Sequence, residues 1–572
     1  MPVRLRHDAL LACALAVLMT LAWSWADRAH LAMLRLPDTD DVVRLQQIRD
    51  WVGGQRWSDL AQHRLGPAPG LPMHWSRLAD LGPAAIVAAL TPWTGAPHAE
   101  LAAVIVWPGL LFAVALWLVA RIARRVGGAG TAMTAIVVAA LAYPATSLFL
   151  PGRIDHHNMQ IVLLLAAILA MLDGRGRTAA IAGACIGASL IVGLETLPIL
   201  ATLGAVVLWR WACTGTGRPL AAFGLGIAAT LAAGRLLFAG DGFAFPACDG
   251  FTAAAFAAAL VLALALPVVA LAGRRAGDRR GRLVAMAAVV VPATGLVLLR
   301  SPQCLSPYGA VDPRLVALWL SQVEEAQSVL AAPPATSLGY LGLAAVGLAA
   351  TLWQAYRRRS ADWTMLALLL AVALAIAAWQ LRGAGAPAIL AVPGLAARIA
   401  AARRRGGGWL ALAWIGSAGM AYPLAARALT GPGTPVAPVG GARGDCGSPA
   451  AMTALAALPP GTVMAPVDAG AWALAATRHR VLAAPYHRNA AGNLAAYRFY
   501  AAPPAQAARI AAAVDVDYVM ACAGLPGAAD PRSAAATLAR GRGLPGFARR
   551  SVATDGTTIF ARQRLSGAVP TP

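Results

Sequence analysis

The sequence predicts a polytopic α-helical membrane protein followed by a separate soluble C-terminal domain of mixed α/β type, and three observations carry that reading. Hydrophobic residues make up 59% of the 572-residue chain and charged residues only 13%, about half the charged share of a soluble globular protein. Apolar runs of about 17–21 residues, the length a helix needs to cross a bilayer, recur from the N-terminus to about residue 427. Beyond about residue 428 the chain turns more polar, gains turn-forming residues and has no run of that length.

The net charge of +22 would suit a nucleic-acid partner, but its distribution excludes that class. The chain has no lysine, so all 47 basic residues are Arg, and many fall in short loops between apolar runs. Arg4 and Arg6 precede the first run. Arg121, Arg124, Arg125, Arg175 and Arg177 follow later ones, and Arg274, Arg275, Arg279, Arg280 and Arg282 form the densest cluster. Arg357 to Arg359 and Arg403 to Arg405 complete the pattern. Cytoplasmic loops concentrate basic residues, so these are topology signals. Applied strictly, the rule gives about 13 spans. They are expected near 8–26, 100–120, 130–149, 158–173, 178–195, 197–212, 219–238, 252–272, 283–299, 337–355, 362–379, 386–401 and 408–427.

The stretch 81–93 contains two prolines and is expected to be interfacial or part of a bent second helix. The N-terminal run lacks a small-residue cleavage site and reads as a retained first helix. The expected localisation is a plasma (inner) membrane, with the N-terminus cytoplasmic and residues 428–572 on the external side. No internal repeat is evident, unlike inverted-repeat transporters.

That topology brings several distant ionisable motifs to one membrane face. Asp38, Asp40 and Asp41 open a long first external loop, about 38–82. Asp155, His156 and His157 stand in GRIDHHNMQ after the third span, and Glu324 and Glu325 stand in QVEEAQ on an external loop of about 300–336. Charges at or within a bilayer are costly to place and are functional suspects. Carboxylates with an occasional imidazole suit Mg²⁺ or Mn²⁺, and a cation there would neutralise charge developing on a phosphate leaving group.

With these motifs in hand, the chain resembles the GT-C glycosyltransferases, and among them the catalytic subunits of oligosaccharyltransferases of the archaeal and bacterial type. That family surrounds a divalent cation with a first-loop Asp, an Asp-His-His motif and a Glu from the fifth external loop. The resemblance implies Asp40, nine residues before Arg49 of IRDW, as ligand and catalytic residue; aligning on Arg44 selects Asp38 instead. It implies Asp155 and His157 on the metal and Glu325, rather than Glu324, in the catalytic role. Arg382 in QLRGAGAPAILAVP matches an arginine that binds the lipid-linked phosphate. Asp38, Asp41, His156 and Asp468 complete the expected substrate-binding set. The implied reaction moves a sugar or oligosaccharide, with inversion, from a polyprenyl phosphate or diphosphate donor to a glycan, lipid or protein acceptor. A lipid-linked glycan flippase is the alternative, and it would keep its ionisable groups near the bilayer midplane.

The family's Trp-Trp-Asp-Tyr-Gly motif, which reads the Ser/Thr of an asparagine sequon, is matched here by APVDAGAW. Asp468 and Gly470 stand in place, but the aromatic pair and the Tyr do not. The acceptor is therefore left open. In the C-terminal region, GTVMAPV, RVLAAP and DVDYVMACA read as strands, and GNLAAYRFY and PAQAARIAAAV as helices. RRSVATDGTTIFARQ reads as a hairpin around Asp555-Gly556. His487, Arg488 and Asn489 read as solvated loop residues, with a place facing the membrane site as the alternative. His74, Trp75 and Arg77 lie near the interface, where Trp is most often a membrane anchor. Cys446 with Cys522, and Cys248 with Cys304, are candidate disulfides on an oxidising side.

Overall fold

The computed structural model describes residues 2–245, 248–302, 311–323, 326–430 and 444–563. It divides into two compact units: Met1–Arg35, His74–Ala310 and Ser321–Gly433 form one, and Leu36–Met73, Val311–Leu320 and Thr434–Pro572 the other.

The described residues of the first unit form helices and the turns that join them. Among the described residues, nine helices are long and apolar enough to cross a membrane, from Arg6–Ala26 to Leu381–Ala402, and the chain is a multi-pass membrane protein. Three of the remaining expected spans are shorter apolar helices: Ala129–Ala140, His157–Asp173 and Gly176–Val192. The expected 130–149 span breaks, its α-helix ending at Ala140 before a 3₁₀ turn at Ala145–Phe149. Pro144 is the physical reason, since it has no N–H to donate and disfavours helical backbone in the residue before it. The expected 408–427 span likewise divides into Gly407–Ile415 and Ala421–Thr430. The 81–93 stretch, expected to be interfacial or part of a bent second helix, is not part of the second helix. It lies within its own helix, Arg77–Thr94, separated from Ala96–Gly127 by Gly95 at φ 77°.

The helices pack closely because small residues let their backbones approach. A Cβ on Gly183 would strike the carbonyl of Phe223, and one on Gly226 would strike that of Ala180. The helices Gly176–Val192 and Gly217–Phe238 are thus held face to face by reciprocal glycines. Leu116, Val119, Leu164, Ile168, Leu203 and Leu369 lie in the buried core around them.

The second unit is built on a mixed sheet. Its strands are β1 (Ala61–Gln62) paired with β2 (Leu71–Pro72), and β3 (Thr462–Met464), β4 (Arg480–Val481), β5 (Tyr518–Ala521), β6 (Phe547–Val552) and β7 (Thr558–Arg562) in the order β4-β3-β5-β7-β6. β3 runs parallel to β4 and β5, while β7 is antiparallel to β5 and β6. The expected strands and the hairpin are present, though RVLAAP forms only a two-residue strand. The expected helices appear as Ala490–Ala501 and Pro504–Ala513.

The segment 36–73 is sewn into this sheet. Val481 N–H donates to Arg64 O and Gly66 N–H to Val481 O, each at 2.8 Å. Arg49 Nη1 donates to Ala475 O at 2.9 Å, and Arg64 Nη1 to Thr477 O at 2.8 Å. Cys446 and Cys522 form a disulfide; the other expected pair includes Cys304, which lies outside the described residues. Asn489 is buried rather than solvated. Its amide donates to Leu482 O at 3.0 Å and Asn493 Oδ1 at 3.1 Å, a structural clasp on the strand-to-helix turn. Arg488 donates to the carbonyls of Pro72 and Met73.

Candidate metal centre

The site begins at a helix start. Gly152 N–H donates to Val104 O at 2.7 Å, which fixes the approach of GRIDHH to the helix Ala96–Gly127. His156 then caps the helix His157–Asp173. Asn158 Nδ2 donates back to Arg153 O at 2.9 Å, closing the turn. Asp155, His156 and His157 thus converge, with one potential ligand atom from each lying within 4.8 Å of the others.

Asp155 and His156 are buried at 3% and 4% exposure, whereas His157 is 32% exposed. The imidazole of His156 lies between two carboxylates. Its Nδ1 is 2.7 Å from Asp155 Oδ1, and its Nε2 is 3.0 Å from Glu195 Oε1. Trp75 packs edge-on against that ring at 6.3 Å, so here it is a wall of the cluster. Burial alone would pull His156 down, but the charges of Asp155 and Glu195 overcome it and raise the imidazole to about 10. Glu195 is held well below the usual carboxylate range, because the His156 charge outweighs the upward push of burial.

The donor chemistry fits a divalent ion. Asp155 Oδ2 and His157 Nε2 face each other at 3.3 Å. Two ligands each about 2.1 Å from an octahedral ion and at right angles lie about 3.0 Å apart.

The other expected site residues are distributed as follows. Asp38 N-caps the helix Thr39–Val52 in the second unit, accepting from Asp40 N–H at 3.1 Å; Asp40 is half-buried and Asp41 buried in its first turn. Asp468 is in the first turn of Val467–Ala476, in the same unit. Tyr497 is pushed up to about 12 by its burial and by the Asp468 charge. Arg382 stands in the turn Leu381–Ala384 of the first unit, its Nε and Nη2 each 3.3 Å from Gln380 Oε1. Glu324 and Glu325 lie outside the described residues.

Sequence reasoning missed Glu195 and Gln160. Glu195 was absorbed into the end of the expected 178–195 span, although a lone acid in the apolar run VGLETLP is itself a signal. Gln160 reads as an ordinary helical residue until the fold turns it toward Glu195, whose Oε2 accepts from its Nε2 at 2.7 Å.

No protein-family model and no curated protein matches the chain at the level of sequence. Among solved structures it is similar to the oligosaccharyltransferase of Archaeoglobus fulgidus in the apo form, at 16% identity and TM-score 0.68, covering 90% of this chain and 69% of that one. It is similar to the same enzyme, AglB, in complex with an inhibitory peptide and a dolichol-phosphate, at 16% identity and TM-score 0.64, covering 89% of this chain and 69% of that one. The complex of that oligosaccharyltransferase with Zn and sulfate aligns at 16% identity and TM-score 0.60, over 97% of this chain and 73% of that one. The chain therefore has the fold of the archaeal oligosaccharyltransferase structures, a helical membrane unit with a C-terminal sheet.

Proposed function

We propose that the protein is a membrane glycosyltransferase that moves a sugar or oligosaccharide from a polyprenyl phosphate- or diphosphate-linked donor to an acceptor at the external membrane face. The observation that carries this reading is the facing pair Asp155 Oδ2 and His157 Nε2 at the start of a helix, in a chain folded like an enzyme whose structures include complexes with dolichol-phosphate and with Zn. A divalent cation held by Asp155 and His157, Mn²⁺ or Mg²⁺, would supply charge neutralisation for the departing phosphate.

The chain's own residues divide the remaining work. Arg382 is read as the partner of the lipid-linked phosphate, its planar guanidinium suiting two phosphate oxygens. Asp40 is read as a further ligand, and Asp40 or Glu325 as the group that orients or deprotonates the acceptor for in-line attack, giving inversion. Asp38, Asp41, His156 and Asp468 complete the substrate-side set. Since APVDAGAW lacks the sequon-reading aromatic residues, the acceptor class includes glycans and lipids as well as proteins.

The test is transfer from a lipid-linked donor in liposomes with Mn²⁺, Mg²⁺ or chelator. Asp155→Asn keeps the side-chain shape and removes a charged donor, so turnover is expected to fall about tenfold to a thousandfold, as when one electrostatic stabiliser is lost. Full activity of Asp155→Asn in chelator would sink the metal reading. Lipid-linked glycan crossing the bilayer with no bond cleavage would instead favour the flippase.

A further inference from the structure

We infer that Glu195 is the positioning residue of the Asp155/His157 cation site, setting the tautomer of His157 and the orientation of Asp155 through two separate hydrogen-bond arms. The inference rests on the metal reading of that pair. It starts from Glu195 itself, a carboxylate on the short turn between the helices Gly176–Val192 and Leu197–Thr214. An ionised carboxylate can only accept hydrogen bonds, so each of its oxygens dictates what its partner must present.

Through the first arm, Glu195 Oε2 accepts from Gln160 Nε2 at 2.7 Å. That contact fixes the amide, because a flipped Gln160 would turn its carbonyl oxygen toward the carboxylate. With Nε2 committed, Gln160 Oε1 is the atom that meets His157 Nδ1, at 3.3 Å. An amide oxygen has no hydrogen to give, so His157 Nδ1 carries the proton. The neutral ring then has its lone pair on Nε2, the nitrogen that faces Asp155 Oδ2 at 3.3 Å. A lone pair and a carboxylate oxygen that close repel each other unless a cation joins them.

Through the second arm, Glu195 Oε1 engages His156 Nε2 at 3.0 Å, and His156 Nδ1 engages Asp155 Oδ1 at 2.7 Å. This occupies both nitrogens of His156, which accordingly supports the site rather than ligating within it, and leaves Asp155 Oδ2 as the outward oxygen. Outer partners of this kind orient metal ligands, and losing one typically weakens metal binding about 10–100-fold. The backbone supports the same assignment. A Cβ on Gly193 would collide with Glu195 Oε2 and come within 3.0 Å of Gln160 Nε2 and of His156 Cδ2, so the glycine leaves the room this junction needs.

The experiment measures Mn²⁺ binding to purified full-length protein in detergent, by the loss of the free-ion electron paramagnetic resonance signal. Glu195→Ala is expected to weaken Mn²⁺ binding about 10–100-fold. Gln160→Leu should weaken it by no more than that, and the double variant no more than Glu195→Ala alone, because Glu195→Ala already removes the arm that Gln160→Leu cuts. Glu195→Gln keeps a carbonyl acceptor for Gln160 Nε2, so it should bind Mn²⁺ nearly as the wild type does. In the transfer assay, excess Mn²⁺ should restore kcat of Glu195→Ala, since a positioning residue acts on turnover only through the ion. Gln160→Leu carries the test alone if Glu195→Ala does not fold.

Wild-type protein that binds no Mn²⁺ would overturn the metal reading and this inference together. Wild-type binding with unchanged affinity in Glu195→Ala and Gln160→Leu would overturn this inference alone. Glu195→Gln as weak as Glu195→Ala, or strictly additive losses, would make Glu195 a direct ligand and overturn the positioning role.

Discussion

At Gly193 the backbone is extended, with φ 179°, a conformation open to any residue, so the reason for a glycine there is space and not strain. The atoms in the way of an added methyl are the far ends of the Glu195 and Gln160 side chains and an edge of the His156 ring. Gly193→Ala should therefore fold, with a thermal midpoint within a few degrees of wild type, because flexible side chains can yield and the change restricts the unfolded chain. The same yielding should pull Glu195 off its partners and weaken Mn²⁺ binding severalfold. Unchanged Mn²⁺ affinity with a lowered midpoint would make Gly193 a packing residue only. The residue scale is also where legibility in the sequence divides. Asp155, His156 and His157 are adjacent in the chain and could be read together, whereas Glu195 and Gln160 join them only through the fold. Asp40, Arg382 and Asp468 were reached through resemblance, and mutagenesis remains their test.

Among the elements, β3 and β5 were readable because each lies in a short apolar run set between turn residues, and the β6–β7 hairpin because the chain alternates around Asp555-Gly556. Apolarity alone did not show where helices break. The runs near 130–149 and 408–427 are as hydrophobic as their neighbours, but Pro144 ends one, and the other divides between Ile415 and Ala421. The attachment of the segment 36–73 to β4 was also hidden, since backbone pairing of Arg64 and Gly66 with Val481 leaves no trace in side-chain pattern. The disulfide was legible from cysteine placement. It links Cys446, ahead of the helix Pro449–Ala456, to Cys522, just after β5, with a sequence separation of 76. Removing it through Cys446→Ala should lower the stability of the second unit by about 4 kcal/mol in the chain-entropy picture. Protease susceptibility of the second unit across a denaturant series, in wild type and variant, measures this, and an unchanged midpoint would refute it.

For the whole molecule, the arginines make the sharpest prediction. Arg124 and Arg125 close the helix Ala96–Gly127, and Arg357 and Arg358 close Pro334–Arg358. Basic residues at span ends mark the cytoplasmic side. Reporter fusions after residue 360 and after residue 430 should therefore report opposite sides of the membrane, the first cytoplasmic and the second external. Two cytoplasmic signals would remove the shared face on which the proposed reaction depends.

The cluster at the start of the helix His157–Asp173 also bears on the order in which the protein is made. Asp155, His156, His157, Gln160 and Glu195 belong to one helical hairpin and its following turn, and their anchor at Val104 comes earlier still. Chains fold from the N-terminus as they are synthesised. The donor atoms can therefore take up their arrangement while the ribosome is still translating the first half of the message, before any residue of the C-terminal sheet exists. A nascent chain stalled after the helix Gly217–Phe238 would already hold every side chain of the hydrogen-bond relay.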